Sequence, residues 1–598
     1  MSALSLGADN LPSQKVETAG VAVEFLTARP MAGEDVQLRF SIRAEDGSRV
    51  TGIRPAAWID SRDPKAPGTA CKDKIQSFLG GSLRARPNVD LNSYYIVTLN
   101  AEPSLAVIDP LVGFGGSKLL TAITLQSPGI DWVLSRDQKR LFVSMPLVNR
   151  VAVVDTESWE VVRNIDTAFK PGRLALHGDD RLWVAAETSL TVIDTKALTV
   201  VATVPVGRAP HQIAFTPDGE RAFVTNGGDG NVSILNAVKP AKLADVATGA
   251  SPAGIAASSL SATMYVIDAN GAIAVIDANA QEISKRIDAK PGLSSIQFAP
   301  GGRWGFVTNS KENVVNIIDA ATATIITTAT DVGRNPDQVA FTDDFAYVRA
   351  SGSDQVKMIR LAALGKDVEA NLATFPAGQI PPAAAGAESF ASAIVPAPEP
   401  KAVLIANPAD RLVYYYMEGM AAPMGNFSAV RRSPKAALVI DRSLRESEPG
   451  VFSIRTKVPA AGQYDVAFFL NAPRVVHCFD LTVRPDPDAP KIAGRGVKVE
   501  PLLEKKAIHA GEELEVKFRL TDPATKELLR NVRDLRALAF LAPGMWQKRV
   551  AVEPAEDGLY RVKLTVPEPG VYYVFVESES LRLKVNAARP LIFEATGE

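Results

Sequence analysis

Three of the chain's nine methionines, Met417, Met420 and Met424, fall within eight residues of "YYYMEGMAAPMGNF" (414–427). Soft thioether sulfurs at this spacing, in a loop rich in Gly and Pro that can converge them, form a donor set suited to Cu(I). The same side chains equally suit an irregular junction, because methionine fills gaps that stiffer residues leave. Only four histidines occur: His177, His211, His477 and His509. His211 stands in "RAPHQIAF", at the entry to an expected strand, and His177 takes a turn position. His477 and Cys478 are adjacent in a strand-like run, where successive side chains point to opposite faces, so they do not share one metal.

Other chemistry is excluded by what the 598 residues lack. The two cysteines, Cys71 and Cys478, form no CxxCH or CxxC, which removes covalent c-type haem and thiolate zinc. No GxSxG elbow, P-loop, GxGxxG, HExxH or EF-hand loop is present. The expectation is therefore a protein without a catalytic centre. A net charge of −2 gives no electrostatic reason for nucleic acid as a partner. The apolar runs are too short for a bilayer span, so the chain is expected not to cross a membrane. Its first twenty residues lack the basic and apolar regions of a secretory signal, as in a cytosolic protein or a mature exported one.

What must position any such site is a repeat. An apolar strand closing on a polar residue recurs at Asp109, Asp155, Asp194, Asn236, Asp277 and Asp319, with degenerate copies at Arg360 and Glu418. About a dozen residues before each lies a second strand, such as "RLFVSM", "RAFVTN" or "RWGFVTN", and many copies carry a third, such as "PHQIAF". Four short strands per roughly 40–45 residues read as one propeller blade, whose faces are buried only by stacking on neighbours. Eight copies predict an all-β fold with an eight-bladed β-propeller, or alternatively a seven-bladed one, because the last two copies are weak.

The blade motif resembles the YVTN family of β-propellers, also called cytochrome d1-like; "FVTN" ends at Asn226 and at Asn309. This resemblance implies export to the periplasm and a redox or metal-handling setting, with a periplasmic redox protein as the expected partner. It also implies a place for a d1-like tetrapyrrole or quinone in the funnel, for which His211 and His177 are the candidate cofactor-binding residues. Copper at the methionine loop is expected ahead of haem.

The flanks repeat too. "AGEDVQLRFSI" (32–42) matches "AGEELEVKFRL" (510–520), and "GVFSIRTKVPAAGQYDV" (450–466) matches "GLYRVKLTVPEPGVYYV" (558–574). The economical reading is a propeller inserted into a small β-sandwich, with a second, uninterrupted sandwich behind it. The expected division is a disordered tail at 1–19, sandwich halves at 20–74 and 422–486, the propeller at 75–421, a linker at 487–495 and the second sandwich at 496–598. The sandwiches resemble the FixH/YtkA-type immunoglobulin-like modules. "APMGNF" (422–427) is similar to that family's Pro-Met-Gly-His turn, with Asn426 in place of His. Insertion brings the ends of the host together, which makes Cys71 and Cys478 candidates for a disulfide; two separate buried thiols are the alternative.

Overall fold

The structure, a computed structural model, describes residues 13–597 apart from 51, 63–70, 80–86, 111–117, 262, 367–371, 382–388, 400, 459, 486, 488–496, 503–506, 524, 542–545, 579, 582 and 584–589. The chain divides into two compact units, one of residues 96–440 and one that combines 1–95 with 441–598.

The 96–440 unit is a β-propeller region. Among the described residues it builds eight four-stranded antiparallel sheets, two of whose strands run just past the unit's limits. Sheet 2 shows the plan: Asp131–Leu134 lies innermost, followed outward by Arg140–Met145, Arg150–Asp155 and Glu160–Asp166. Sheets 3 to 6 repeat it over 174–205, 210–247, 252–288 and 293–329, sheet 7 over 336–376 and sheet 8 over 394–428. Sheet 1 is assembled from both ends of the unit, with Pro434–Asp441 placed beside Tyr94–Asn100, Ser104–Ile108 and Leu119–Thr124. The middle strands are apolar on both faces because each sheet is covered by its neighbours. Phe142, Trp183, Phe223, Tyr265, Phe306 and Tyr347 occupy equivalent second-strand positions and are almost wholly buried.

The third and fourth strands slip register at the same place in sheets 1 to 6, for instance between Val153 and Val154 in sheet 2 and between Ile234 and Leu235 in sheet 4. A bulge there adds the local twist that lets sheets splay around an axis. Tight turns join the strands, and some admit only glycine. Gly230 has φ 66°, and a Cβ there would lie 2.5 Å from the Gly249 carbonyl oxygen, whereas Gly301, at φ 86°, has open space. Gly230→Ala is expected to cost about 2 kcal/mol and Gly301→Ala about 1 kcal/mol. Urea unfolding of the two variants side by side checks that order.

In the other unit, strands distant in sequence pair. Asp35–Ala44 pairs with Val451–Lys457, and Ala56–Ser61 pairs with Gly462–Leu470. Two sheets close over a core in which Phe25, Phe40, Phe468 and Phe479 stack with ring centroids about 5 Å apart. Residues 498–596 form a further two-sheet body with its own core. The matched sequence motifs occupy matched places: Phe40 pairs with Phe452 as Phe518 pairs with Tyr560. The Tyr464 hydroxyl donates to the Ala460 carbonyl (2.6 Å), as that of Tyr572 does to Glu568 (2.8 Å).

Several expected boundaries move. The first unit limit falls at 95/96 rather than 74/75, because Cys71–Leu79 is a helix that packs on the Val475–Val483 and Gly462–Leu470 strands. The second falls at 440/441 rather than 421/422. Gly425–Ser428, within the supposed sandwich turn, is the outermost strand of sheet 8, and Pro434–Asp441 closes sheet 1. The repeat is legible through the end of its third strand, and a lone closing strand carries no such mark. Residues 13–18, expected in a disordered tail, form a strand paired with Val21–Thr27; residues 1–12 lie outside the described residues, as does the expected linker except residue 487. Cys71 and Cys478 are joined by a disulfide, with Cα atoms 5.8 Å apart.

Candidate functional site

Two places in the 96–440 unit gather polar side chains: the ring of innermost strands and a cleft between sheets 7 and 8. At the first, successive innermost strands lie against one another. Those of sheets 4 to 7 bulge near their starts, at His211, Ala253, Ser294 and Asp337. The segment leading into sheet 8 crosses this ring. Phe390 N–H donates to the Ile130 carbonyl at sheet 2 (2.7 Å), and its own carbonyl accepts from Arg173 Nη1 at sheet 3 (2.8 Å). The Gln338 side chain of sheet 7 bonds Ala391 and Ala393. The Phe390 ring sits 4.7 Å from the Arg173 guanidinium carbon and meets His211 of sheet 4 edge-on at 5.1 Å. One aromatic residue leading into sheet 8 thus reaches sheets 2, 3 and 4, which places it across the axis.

The charges around it are perturbed by burial. Asp131 is 5% exposed and accepts from Leu174 N–H (2.9 Å); desolvation pushes its carboxyl up to about 6, against the opposing pull of Arg173. Burial, and then the Arg173 charge, push His211 down to about 4. Arg173 Nε and His211 Nδ1 have no partner among the described residues. His177 lies at the far end of its innermost strand, Leu174–His177, whereas His211 lies near the start of Pro210–Phe215. His177 Nε2 is engaged by the Gly219 carbonyl (2.6 Å), and its ring packs on Phe215. The two histidines therefore stand at opposite ends of neighbouring strands.

The second place is a cleft of about 730 Å³ lined by sheets 7 and 8. Its floor holds Met358 and Tyr416, whose hydroxyl donates to the Met358 sulfur (3.4 Å) and the Met420 carbonyl (3.0 Å). Tyr416 stacks on Phe375, ring centroids 3.5 Å apart. Glu418 accepts from the hydroxyls of Thr342 (2.7 Å) and Tyr347 (2.8 Å), and burial followed by Glu418 raises the Tyr347 phenol. On the rim, Lys401 pairs with Asp344 (2.7 Å) and the Arg360 guanidinium lies 5.4 Å from the Phe345 ring centroid. Of the methionine loop, Met420 lines this cleft and is 45% exposed, Met424 is 57% exposed, and Met417 is half-buried on the third strand of sheet 8. Among the described residues no group of three His, Cys, Asp or Glu side chains is arranged to hold a metal.

Asp131, Arg173, Phe390 and Arg360 do not stand out as site residues in the sequence. Arg360 is visible there only as a copy ending in Arg where others end in Asp or Asn. Phe390 precedes a blade instead of lying in one, and no repeat-based search reaches it.

A ring of four-stranded sheets with an open cleft between two of them defines a β-propeller protein. A family model described as a YNCE-like beta-propeller matches residues 134–297. No curated protein sequence matches the chain. Among solved structures, apo AztD from Citrobacter koseri is similar at 13% identity and a TM-score of 0.44, over 59% of this chain and 99% of that one. Kuenenia stuttgartiensis hydrazine synthase is similar at 19% identity and a TM-score of 0.39, over 49% and 96%. A functionally unknown protein from Desulfotomaculum acetoxidans has 13% identity and a TM-score of 0.40, over 58% and 98%.

Proposed function

We propose that the chain is a non-catalytic, exported binding or scaffold protein serving a periplasmic redox or metal-handling system. In this reading the eight sheets are the blades of one closed eight-bladed propeller, inserted into an immunoglobulin-like sandwich and followed by a second. The matched Phe40/Phe452 and Phe518/Tyr560 registers support two copies of one module, and so do the back-bonded tyrosines 464 and 572. The Cys71–Cys478 bridge supports export, since disulfides persist in oxidising compartments. No helix among the described residues is long and apolar enough to cross a membrane.

The observation that carries the reading is Phe390. At the ring of innermost strands, where a tetrapyrrole or quinone is implied by the family resemblance, the chain's own aromatic side chain lies against Arg173 and His211. His177 is committed to Gly219 and lies at the wrong end of its strand to act with His211. These residues do not fit a d1-like tetrapyrrole, and the cleft between sheets 7 and 8 serves as the binding face in this reading.

Exposure of Met420 and Met424 favours one second reading, a Cu(I) site at the methionine loop, because side chains that face solvent fill no junction. Metal analysis and an absorption spectrum, before and after anaerobic Cu(I) loading, separate the two. The scaffold reading expects a colourless protein with less than one-tenth equivalent of copper. Near-stoichiometric copper that disappears when Met417, Met420 and Met424 are all changed to Leu makes the protein a copper carrier instead. A tetrapyrrole absorption band overturns both.

A further inference from the structure

The strand ends beside the cleft differ from those of the other sheets. At the start of the second strand, sheets 2, 3 and 4 carry Arg140, Arg181 and Arg221; opposite them, at the end of the third strand, stand Asp155, Asp194 and Asn236. Two of these arginines close the space next to them. Arg140 donates to the Thr195 carbonyl of sheet 3 (2.6 Å), and Arg221 to the Ala278 carbonyl of sheet 5 (2.6 Å). In sheet 6, Arg303 just before the strand pairs with Asp319 (2.9 Å). The acidic or amide residue meanwhile ties down the following turn: Asp155, Asp194, Asp277 and Asp319 each accept backbone N–H bonds from it, as does Asn236.

Sheet 7 inverts the pattern. Phe345 stands where sheets 2 to 4 carry arginine and sheets 5 and 6 carry Thr263 and Trp304, and it is paired with Arg360 where sheets 2 to 6 carry Asp or Asn. The rim thereby gains a cation in place of an anion. Arg360 makes no ion pair with an acidic side chain among the described residues, whereas Lys401 on the same rim is paired with Asp344. Below it the floor is apolar and polarisable: Met358, Tyr416 over Phe375, and Met420. A guanidinium near an aromatic ring and without an acidic partner has N–H groups with which to grip a two-oxygen acid in a bidentate manner. A volume near 730 Å³ admits a drug-sized organic body, not an ion alone.

We infer that this cleft binds a small amphiphile with a flat or aliphatic apolar body and a single oxyanionic head (carboxylate, sulfonate or phosphate), the head on Arg360 and the body on the Met358–Tyr416 floor. This rests on the proposal that the cleft is the binding face and specifies its ligand. Of the three lining acids, Asp344 is paired with Lys401 and Glu418 is turned toward Thr342 and Tyr347, which leaves the exposed Asp343 as the one acid that the head must avoid.

Two fluorescent probes of one shape test it with the full-length protein. 8-Anilinonaphthalene-1-sulfonate carries the acid, and N-phenyl-1-naphthylamine lacks it. The sulfonate is expected to bind one-to-one and at least tenfold more tightly than the neutral probe. Arg360→Ala is expected to weaken the sulfonate about tenfold and to leave the neutral probe within twofold. Ala373→Trp, an exposed position lining the cleft, should block both, with circular dichroism unchanged in each variant. Equal affinities of the two probes, or an Arg360→Ala variant that holds the sulfonate undiminished while Ala373→Trp expels it, overturns the anion assignment but keeps the cleft as a site. Failure of both probes to bind, or binding that survives Ala373→Trp, overturns both.

Discussion

Changing Cys71 and Cys478 together to Ala lowers the stability of the sandwich that joins the two ends of the chain by about 4 kcal/mol, and leaves the propeller region where it was. The two cysteines are 407 residues apart in sequence, but that number overstates the loop which the bridge closes. Pro434–Asp441 and Tyr94–Asn100 are strands of one sheet, so while the propeller region stays folded its two ends are already held together. The loop that matters runs from Cys71 to residue 94 and from residue 441 to Cys478, about 60 residues, for which chain entropy gives roughly 4 kcal/mol. The loss should concentrate where the bridge acts. The Cys71–Leu79 helix rests on the sandwich through Ile75, Trp58 and Ala467, and Lys74 reaches Asp465 (2.8 Å) and Asp60 (3.1 Å). Because a chain of several bodies does not unfold in one step, the measurement is hydrogen exchange resolved by segment in increasing urea. Protection of Asp35–Ala44, Val451–Lys457 and Gly462–Leu470 should fall, and that of the second and third strands of sheets 2 to 6 should not. Sandwich protection unchanged within about 0.5 kcal/mol means that the bridge is an ornament on a body already secured by its strand pairing.

How much of this is legible beforehand depends on whether a residue belongs to a repeat. Turn chemistry every forty residues or so marks the strands of sheets 2 to 6 almost to the residue, since a buried sheet between two others needs apolar side chains on both faces and polar closure at both ends. The pairing of distant halves is readable because the second body holds an unbroken copy of the same motifs. What escapes lies outside the periodicity. Pro434–Asp441 is a single strand far from its sheet. Phe390 follows a Pro- and Ala-rich stretch with no strand pattern, and its importance comes from crossing to sheets that are remote in sequence. Arg360 reads as degeneracy, although it puts a cation at a strand end where sheets 2 to 6 have Asp or Asn, on the lining of the cleft. The histidines mislead for the converse reason. They are rare, but His177 serves a turn and His211 an aromatic contact.

The contributions of two buried residues to the pH dependence of the propeller region should offset each other in the native protein and emerge when either is neutralised. Burial lifts the Asp131 carboxyl from 3.8 to about 6, so the folded state holds a proton that the unfolded state releases. Its stabilisation is complete below pH 3.8 and is lost as pH rises through about 6. Burial and Arg173 depress His211 from 6.5 to about 4, so here the unfolded state takes the proton first. That stabilisation is complete above pH 6.5 and is lost as pH falls through about 4. Each displacement of two to two and a half units corresponds to roughly 3 kcal/mol, less for His211, which keeps some solvent contact. The windows overlap and the signs oppose, so the two cancel. Asp131→Asn leaves the histidine's contribution alone, and stability should then rise by about 3 kcal/mol more than in the native protein between pH 4 and pH 6.5. His211→Gln should make it fall over the same range, and the double variant should be flat again. Urea unfolding followed through hydrogen exchange of sheets 2 to 4, at four pH values, compares the curves directly. Groups elsewhere titrate identically in all four proteins and drop out of the differences. Parallel curves would mean that Asp131 and His211 are open to water. Opposed slopes would mean that both groups are held out of solvent, the state that their burial beside Arg173 imposes.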